Sequence, residues 1–188
     1  RGADPAVTYK VEGINKTPSI AFAGTAPCGM LNTILSVGGG SAQGTVFLVF
    51  KPTSNLSSTT LTVFDTWAMP ASNHTLIGIK NNALTINAGT AVDIATTFSA
   101  NISYVVAVNF NGASSSAYIN NASTMIGTLV NPGSNPVNGA VVGTSLGGSC
   151  FVGLLSEVII YNRPLKLQER KDVMRYLSKK YGIQVLGL

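Results

Sequence analysis

Short apolar runs, bounded by glycine, proline and asparagine, recur along almost the whole chain and constrain its fold more than any other feature. The run Gly44–Pro52 is rich in β-branched and aromatic residues and predicts a central strand buried on both faces. Residues 59–67 predict another strand, with Leu61, Val63 and Asp65 on one face. Many short strands at regular spacing predict an all-β, antiparallel β-sandwich.

Two further stretches have the pattern of β-hairpins. Residues 74–89 predict two strands joined around 80–82, where an Asn-Asn pair tolerates positive φ. Tyr104–Phe110 predicts a strand that returns at 117–119 after a turn. The apolar content of residues 139–145 and 150–161 predicts two more strands.

The pattern changes to a helical period after the last strand. Val173, Met174, Leu177 and Tyr181 recur at three-to-four-residue spacing, with Arg and Lys on the opposite side. Pro164 presets a helical φ near the start of this segment. The sequence therefore predicts one C-terminal α-helix over residues 163–181, packed on the sandwich through its apolar stripe.

The net charge of +5 is concentrated in this helix. Residues 163–180 hold seven basic and two acidic residues, which gives +5, and the rest of the chain is neutral. A neutral β region without a basic stripe argues against a nucleic-acid partner, and the charges are interpreted as a solvated helix face. The apolar runs are also shorter than the roughly 18 residues of a membrane-spanning helix, so membrane insertion is not expected.

The C-terminal segment carries a specific resemblance. A strand over residues 157–161 is followed by Asn-Arg at 162–163, Glu-Arg at 169–170, Tyr-Leu at 176–177 and Lys-Tyr-Gly at 180–182. This order closely resembles the end of laminin-G-like, or concanavalin A-like, jelly-roll domains of bacterial surface proteins and phage structural proteins. Residues 15–25, 45–54 and 105–123 are similar to earlier parts of the same domains, so that the resemblance covers nearly the whole chain.

The resemblance implies one jelly-roll domain over residues 1–188, with a lead-in segment at 1–14. The family's usual N-terminal portion is missing ahead of Ala6. We therefore expect a larger or processed protein, in which a missing N-terminal segment or another chain completes the sandwich.

Metal and cofactor sites are not expected. Members of the family have acidic residues just after the opening strand, whereas residues 23–30 contain no carboxylate. Because calcium requires several oxygen ligands, a calcium site in this loop is not expected. One histidine and two distant cysteines offer no transition-metal cluster. Cys28 and Cys150 could form a disulfide that closes a long loop, or remain two buried free thiols.

Catalysis is not expected either, although concanavalin A-like folds include glycoside hydrolases. Such enzymes use two carboxyl groups roughly 5–9 Å apart, and no two carboxylates here lie two residues apart on one strand. Glu157 stands alone, and we interpret it as an anchor bonded to Arg163 or to the helix. His74 would need a serine and an aspartate, such as Asp65 or Asp93, but no nucleophile motif is present. We interpret His74 as an exposed loop residue.

The remaining candidate is a binding site around the only tryptophan. Asp65, Trp67, Asn73 and His74 lie together at a strand end and loop. Sugar rings stack on aromatic faces while their hydroxyls need hydrogen-bonding partners, so these four residues are the predicted ligand site. The alternative is that Trp67 packs in the core or between subunits.

Two functions are compatible with these features. The first is a non-enzymatic structural or decoration subunit of a virion or surface assembly, whose uncovered sheet edge pairs with other chains. The alternative is an extracellular carbohydrate-binding or adhesion module that recognises cell-surface glycans. Only 10% of the residues are charged, and a surface of Ser, Thr, Asn and Gly favours an extracellular or virion-surface location for both.

Overall fold

A computed structural model describes residues 7–24, 30–33, 42–53, 59–66, 74–127, 130–145 and 149–188. These residues form twelve strands and one helix. In chain order they are β1 (Val7–Ile14), β2 (Thr17–Ala23), β3 (Met30–Thr33), β4 (Gly44–Pro52), β5 (Leu61–Asp65), β6 (Leu76–Lys80), β7 (Ala83–Asn87), β8 (Ala91–Ile94), β9 (Tyr104–Phe110), β10 (Ser116–Ile119), β11 (Ala140–Val142), β12 (Val152–Tyr161) and α1 (Leu167–Tyr181).

The strands build two six-stranded antiparallel sheets. The first sheet has the order β1-β2-β12-β4-β9-β10, and the second has the order β3-β11-β5-β6-β7-β8. Their inner faces enclose one apolar core to which both sheets contribute phenylalanine and branched aliphatic side chains. This architecture confirms the predicted all-β, antiparallel jelly-roll sandwich with one C-terminal helix.

Strand β4 is central, as predicted. It pairs with β12 on one side and β9 on the other, and all its residues except Lys51 are buried. Val46, Leu48 and Phe50 enter the core between the sheets, whereas Phe47 and Val49 face the helix. A strand with apolar layers on both faces requires the continuous hydrophobic run seen in its sequence.

The helix starts later than the sequence predicts. It begins at Leu167, and Lys166 is its extended N-cap residue with φ −69° and ψ 164°. The Glu169 carboxylate accepts hydrogen bonds from the Lys166 backbone N–H at 2.9 Å and from Nη1 and Nη2 of Arg163 at 2.9 and 2.6 Å. These bonds hold the preceding turn and fix the start of the helix, so Arg163 and Pro164 lie outside it. Gly182, with φ 59°, ends the helix as expected.

A second apolar core lies between the helix and the outer face of the first sheet. Met174, Leu177 and Tyr181 are buried there, whereas Val173 is only partly buried. The sequence predicts a solvated face for the basic residues of this helix, but Arg170 is buried as well. Its guanidinium lies 3.7 Å from the centre of the Tyr118 ring, and its Nε donates to a backbone carbonyl at 3.1 Å. Stacking and this hydrogen bond allow a cation to pack in an apolar layer.

The segment predicted as a lead-in, residues 1–14, contains an edge strand of the first sheet. Residues 7–14 form β1, which pairs antiparallel with β2. Asn15 and Lys16 both adopt positive φ and make the tight turn between the two strands.

Cys150 is buried and disulfide-bonded. The other cysteine of the sequence, Cys28, lies outside the described residues, so the pairing of these two residues remains a prediction. Within the described ranges, no helix has the length and apolar character needed to cross a membrane.

Candidate functional site

The outer faces of the two sheets differ in chemistry. The helix covers the first sheet with apolar side chains, whereas the strand registers place polar side chains on the outer face of the second sheet. These polar residues are Thr62, Asp65, Lys80, Thr85, Asn87 and Asp93. Of these six residues, Thr62, Asp65 and Thr85 are buried, whereas Lys80, Asn87 and Asp93 are partly or fully exposed. The accessible polar groups of the second sheet are therefore those of Lys80, Asn87 and Asp93.

A β-bulge in β5 determines which way Asp65 faces. Thr62 pairs with Gly78, but the next pair joins Phe64 to Ile77, so Val63 is an extra residue in the ladder. Val63 and Phe64 both enter the core, and Asp65 is directed to the outer face. The predicted simple alternation, with Asp65 on the face of Leu61 and Val63, is wrong because the bulge shifts the register by one residue.

Asp65 contacts His74 across the ends of neighbouring strands. His74 Nδ1 lies 3.0 Å from Oδ2 and 3.2 Å from Oδ1 of the carboxylate. Asp65 is fully buried, and the His74 side chain is 16% exposed. This contact overturns the interpretation of His74 as an exposed loop histidine. Since the carboxylate engages Nδ1, the other ring nitrogen, Nε2, is left for a further hydrogen bond.

Hydrogen bonds of the neighbouring residues fix the position of this pair. The Thr75 N–H donates to Thr66 Oγ1 at 2.8 Å, and the Thr66 N–H donates to the Thr75 carbonyl at 3.0 Å. Asn135 Nδ2 donates to the His74 carbonyl at 3.2 Å, and so connects the loop ahead of β11 to the same point. The pair is thus held by three separate segments of the chain.

The four predicted ligand residues are only partly covered by the described structure. Asp65 and His74 lie in contact, whereas Trp67 and Asn73 belong to residues 67–73, which are outside the described ranges. A ligand-binding role for all four stays a prediction. The loop at 23–30, for which no calcium site is expected, also falls largely outside them.

A second polar group lies further along the same face, on β6, β7 and β8. Thr85 Oγ1 donates to Asp93 Oδ1 at 2.7 Å, and Lys80 Nζ lies 3.4 Å from Asp93 Oδ2. The hydroxyl of Thr62, on the neighbouring strand, is fully buried and has no hydrogen-bond partner. The sequence does not group these residues with Asp65, because only the strand register shows that they share one face.

The carboxylate of Glu157 is hydrogen-bonded to side chains of the helix. Its carboxylate accepts hydrogen bonds from the Tyr181 hydroxyl at 2.7 Å, Lys180 Nζ at 2.8 Å and the Tyr176 hydroxyl at 3.2 Å. The expected anchor therefore joins β12 to the helix and does not contact Arg163, which pairs with Glu169. In the described part of the chain, no group of three or more His, Cys, Asp or Glu residues could hold a metal ion.

No protein-family model and no curated protein matches the sequence. Among solved structures, the fold is similar to domain 4 of AbnA, an extracellular GH43 arabinanase of Geobacillus stearothermophilus in complex with arabinotriose. The identity is 19%, the TM-score is 0.63, and the match covers 90% of this chain and 82% of that one.

Two other similar structures come from a sialidase and a toxin. The CBM40 of the Ruminococcus gnavus IT-sialidase, bound to α2,3 sialyllactose, has a TM-score of 0.60 at 17% identity, covering 82% of this chain and 95% of that one. The binding domain of botulinum neurotoxin serotype G has a TM-score of 0.63 at 12% identity. This match covers 94% of this chain and 46% of that one. At such identities the similarity shows a β-sandwich fold.

Proposed function

We propose that this chain is a non-catalytic carbohydrate-binding module that acts outside the cell. The observation that carries the proposal is the Asp65–His74 pair, which lies on the polar outer face of a lectin-like sandwich two residues from the only tryptophan. Two proteins of similar fold were solved with sugars, arabinotriose and α2,3 sialyllactose, and this supports a sugar ligand here.

The pair has the geometry of a fixed hydrogen-bonding group. Because Asp65 holds Nδ1 of His74, the ring cannot rotate freely, and Nε2 is presented in one direction. A sugar hydroxyl can both donate and accept a hydrogen bond, so it can pair with Nε2 in either protonation state of the imidazole. Trp67 would supply the flat apolar surface on which a pyranose or furanose ring stacks.

A binding role without catalysis is supported by the state of the carboxylates. Glu157 is bonded to three side chains of the helix, so it is committed to holding the structure together. An extracellular location is supported by the disulfide bond at Cys150, because such bonds persist mainly in oxidising compartments.

A glycan array followed by calorimetry of the strongest binder tests this function. We expect saturable binding that weakens by about tenfold or more in His74→Ala and Asp65→Asn, because a buried polar partner is lost. Asp172→Asn is the matched control, since this exposed carboxylate lies on the helix, on the opposite side of the sandwich. Absence of binding to any glycan, or equal losses in the control, would contradict the proposal. Release of reducing sugar that stops in Glu157→Gln would show an enzyme instead.

A specific observation also favours the second function, a subunit of a virion or surface assembly. The edge strand β1 exposes Tyr9 and Val11, which are 67% and 69% accessible. Tyr9 borders a cleft of about 290 Å³ that Ile20 and Leu155 also line. An apolar edge strand can pair with a second copy of the chain. The assembly role predicts that light scattering at increasing protein concentration detects oligomers, and that the substitution Val11→Lys dissociates them. A monomer at all concentrations would exclude self-assembly through β1.

A further inference from the structure

A cleft lies on the first sheet, away from the Asp65–His74 pair. It has a volume of about 530 Å³ and opens where the helix ends. After Gly182 the chain crosses the sheet, and the Leu186 N–H donates to the Asn120 carbonyl at 2.9 Å while the Ala122 N–H donates to the Leu186 carbonyl at 2.8 Å. The cleft is the space left between this tail, the end of β4 and the segment ahead of β9.

Lys51 supplies the charge of the cleft. It follows Phe50 in β4 and pairs with Leu154, whose side chain packs in the layer between sheet and helix. Lys51 therefore faces the helix side of the sheet, beyond the end of the helix. The ion pairs of the described residues do not include Lys51, and none of the described residues that line the cleft is Asp or Glu. Its ammonium group is available to an anion.

Amide side chains add hydrogen-bond donors around this cation. Asn120 Oδ1 accepts the Val105 N–H at 2.8 Å, which fixes the orientation of the amide and leaves its Nδ2 as a donor. Asn101 and Gln184 also line the cleft, and the Asn101 backbone is held by a 2.6 Å hydrogen bond from its N–H to the Pro52 carbonyl. Donors at fixed positions are suited to oxygen-rich ligands.

Two exposed aliphatic side chains complete the lining. Ile102 is 50% exposed and Leu186 is 56% exposed, so each presents apolar surface beside the polar groups. Two carbonyl groups at the end of the helix already accept hydrogen bonds. The Ser178 carbonyl accepts the backbone N–H groups of Gly182 and Ile183, and Asn15 Nδ2 donates to the Tyr181 carbonyl at 2.7 Å. Among the described residues that line the cleft, only Lys51 carries a charge.

We infer that this cleft is a second sugar site, which binds the carboxylate of an acidic sugar through Lys51. The inference rests on the proposed carbohydrate-binding function and names a ligand class for a separate surface. A single lysine suits the single charge of a carboxylate, whereas nucleic acid requires contacts to several phosphates. The amides bond the sugar hydroxyls, and Ile102 and Leu186 contact its C–H surfaces.

The test uses methyl glucuronide and methyl glucoside, which differ only in the carboxylate. Backbone NMR of the isotope-labelled protein should show shifts around Ser103 and Gly182 with the glucuronide, and binding should weaken as salt is raised. In Lys51→Gln the affinity for the glucuronide should fall by about tenfold or more, because a charge-assisted hydrogen bond is lost. Lys171→Gln, which changes a lysine of the helix that does not line the cleft, should leave it unchanged.

Two results would overturn the inference. One is equal binding of the glucoside and the glucuronide in the cleft, and the other is glucuronide binding that survives Lys51→Gln. If a neutral glycan binds at the second sheet while the glucuronide does not bind, only this inference fails and the proposed function stands. If no sugar binds anywhere on the protein, both fail together.

Discussion

The substitution Leu177→Ala tests whether the helix is held by its buried apolar side chains. Leu177 is fully buried between the helix and the first sheet, where it belongs to the same cluster as Phe47 and Val105. Removing a buried leucine side chain leaves a cavity and costs about 2–5 kcal/mol. For a domain of this size, 1 kcal/mol lowers the melting temperature by roughly 2–4 °C, so a cost of about 3 kcal/mol corresponds to a decrease of about 6–12 °C.

Urea unfolding followed by circular dichroism measures this cost directly. The matched control is Lys171→Gln with Lys179→Gln, which removes two charges of the same helix that form no ion pair among the described residues. Solvated charges contribute within about 0.5 kcal/mol, so the control should unfold like the parent. A loss below about 1 kcal/mol in Leu177→Ala, or an equal loss in the control, would refute the reasoning.

Three further predictions concern buried and paired groups of the same region. The hydrogen bonds from Arg163 lower the pKa of Glu169 from 4.5 to about 2, so its stabilising effect is present above pH 4.5 and lost as the pH falls toward 2. Urea unfolding between these pH values should show a smaller loss of stability in Glu169→Gln than in the parent protein. Burial, and then a hydrogen bond to Glu157, raises the pKa of Tyr181 from 10.0 to about 12, so stability should fall as the pH rises between these values, and less in Tyr181→Phe. Arg170→Ala removes the stacked guanidinium and the donor to a buried carbonyl, and calorimetry should show a cost of about 1–3 kcal/mol, whereas a negligible cost would contradict its structural role.

The regular elements could be predicted because their signals are local. The apolar run of β4, the Asn-Asn turn between β6 and β7 and the helical spacing of Met174, Leu177 and Tyr181 each reflect burial or backbone preference within a few residues. The predicted start of the helix was wrong because the Glu169 cap competes with the tendency of Pro164 to begin a helix.

The candidate site could be predicted only in part. The grouping of Asp65 with His74 followed from their positions at a strand end and the adjoining loop, and the two are in contact. Their orientation depends on an extra residue in β5, which is a property of the pairing with β6 and leaves no pattern in the sequence. The burial of Arg170 could not be predicted for a related reason, since it depends on the Tyr118 ring of a strand distant in sequence.

The most direct test of the carbohydrate-binding proposal is a fluorescence titration, because the chain contains one tryptophan. With the glycan selected by the array, the emission of Trp67 should change saturably, with the same dissociation constant as calorimetry gives. His74→Ala should shift both curves together. Heat of binding without any change in the emission of Trp67 would place the sugar elsewhere and contradict the site proposed on the second sheet.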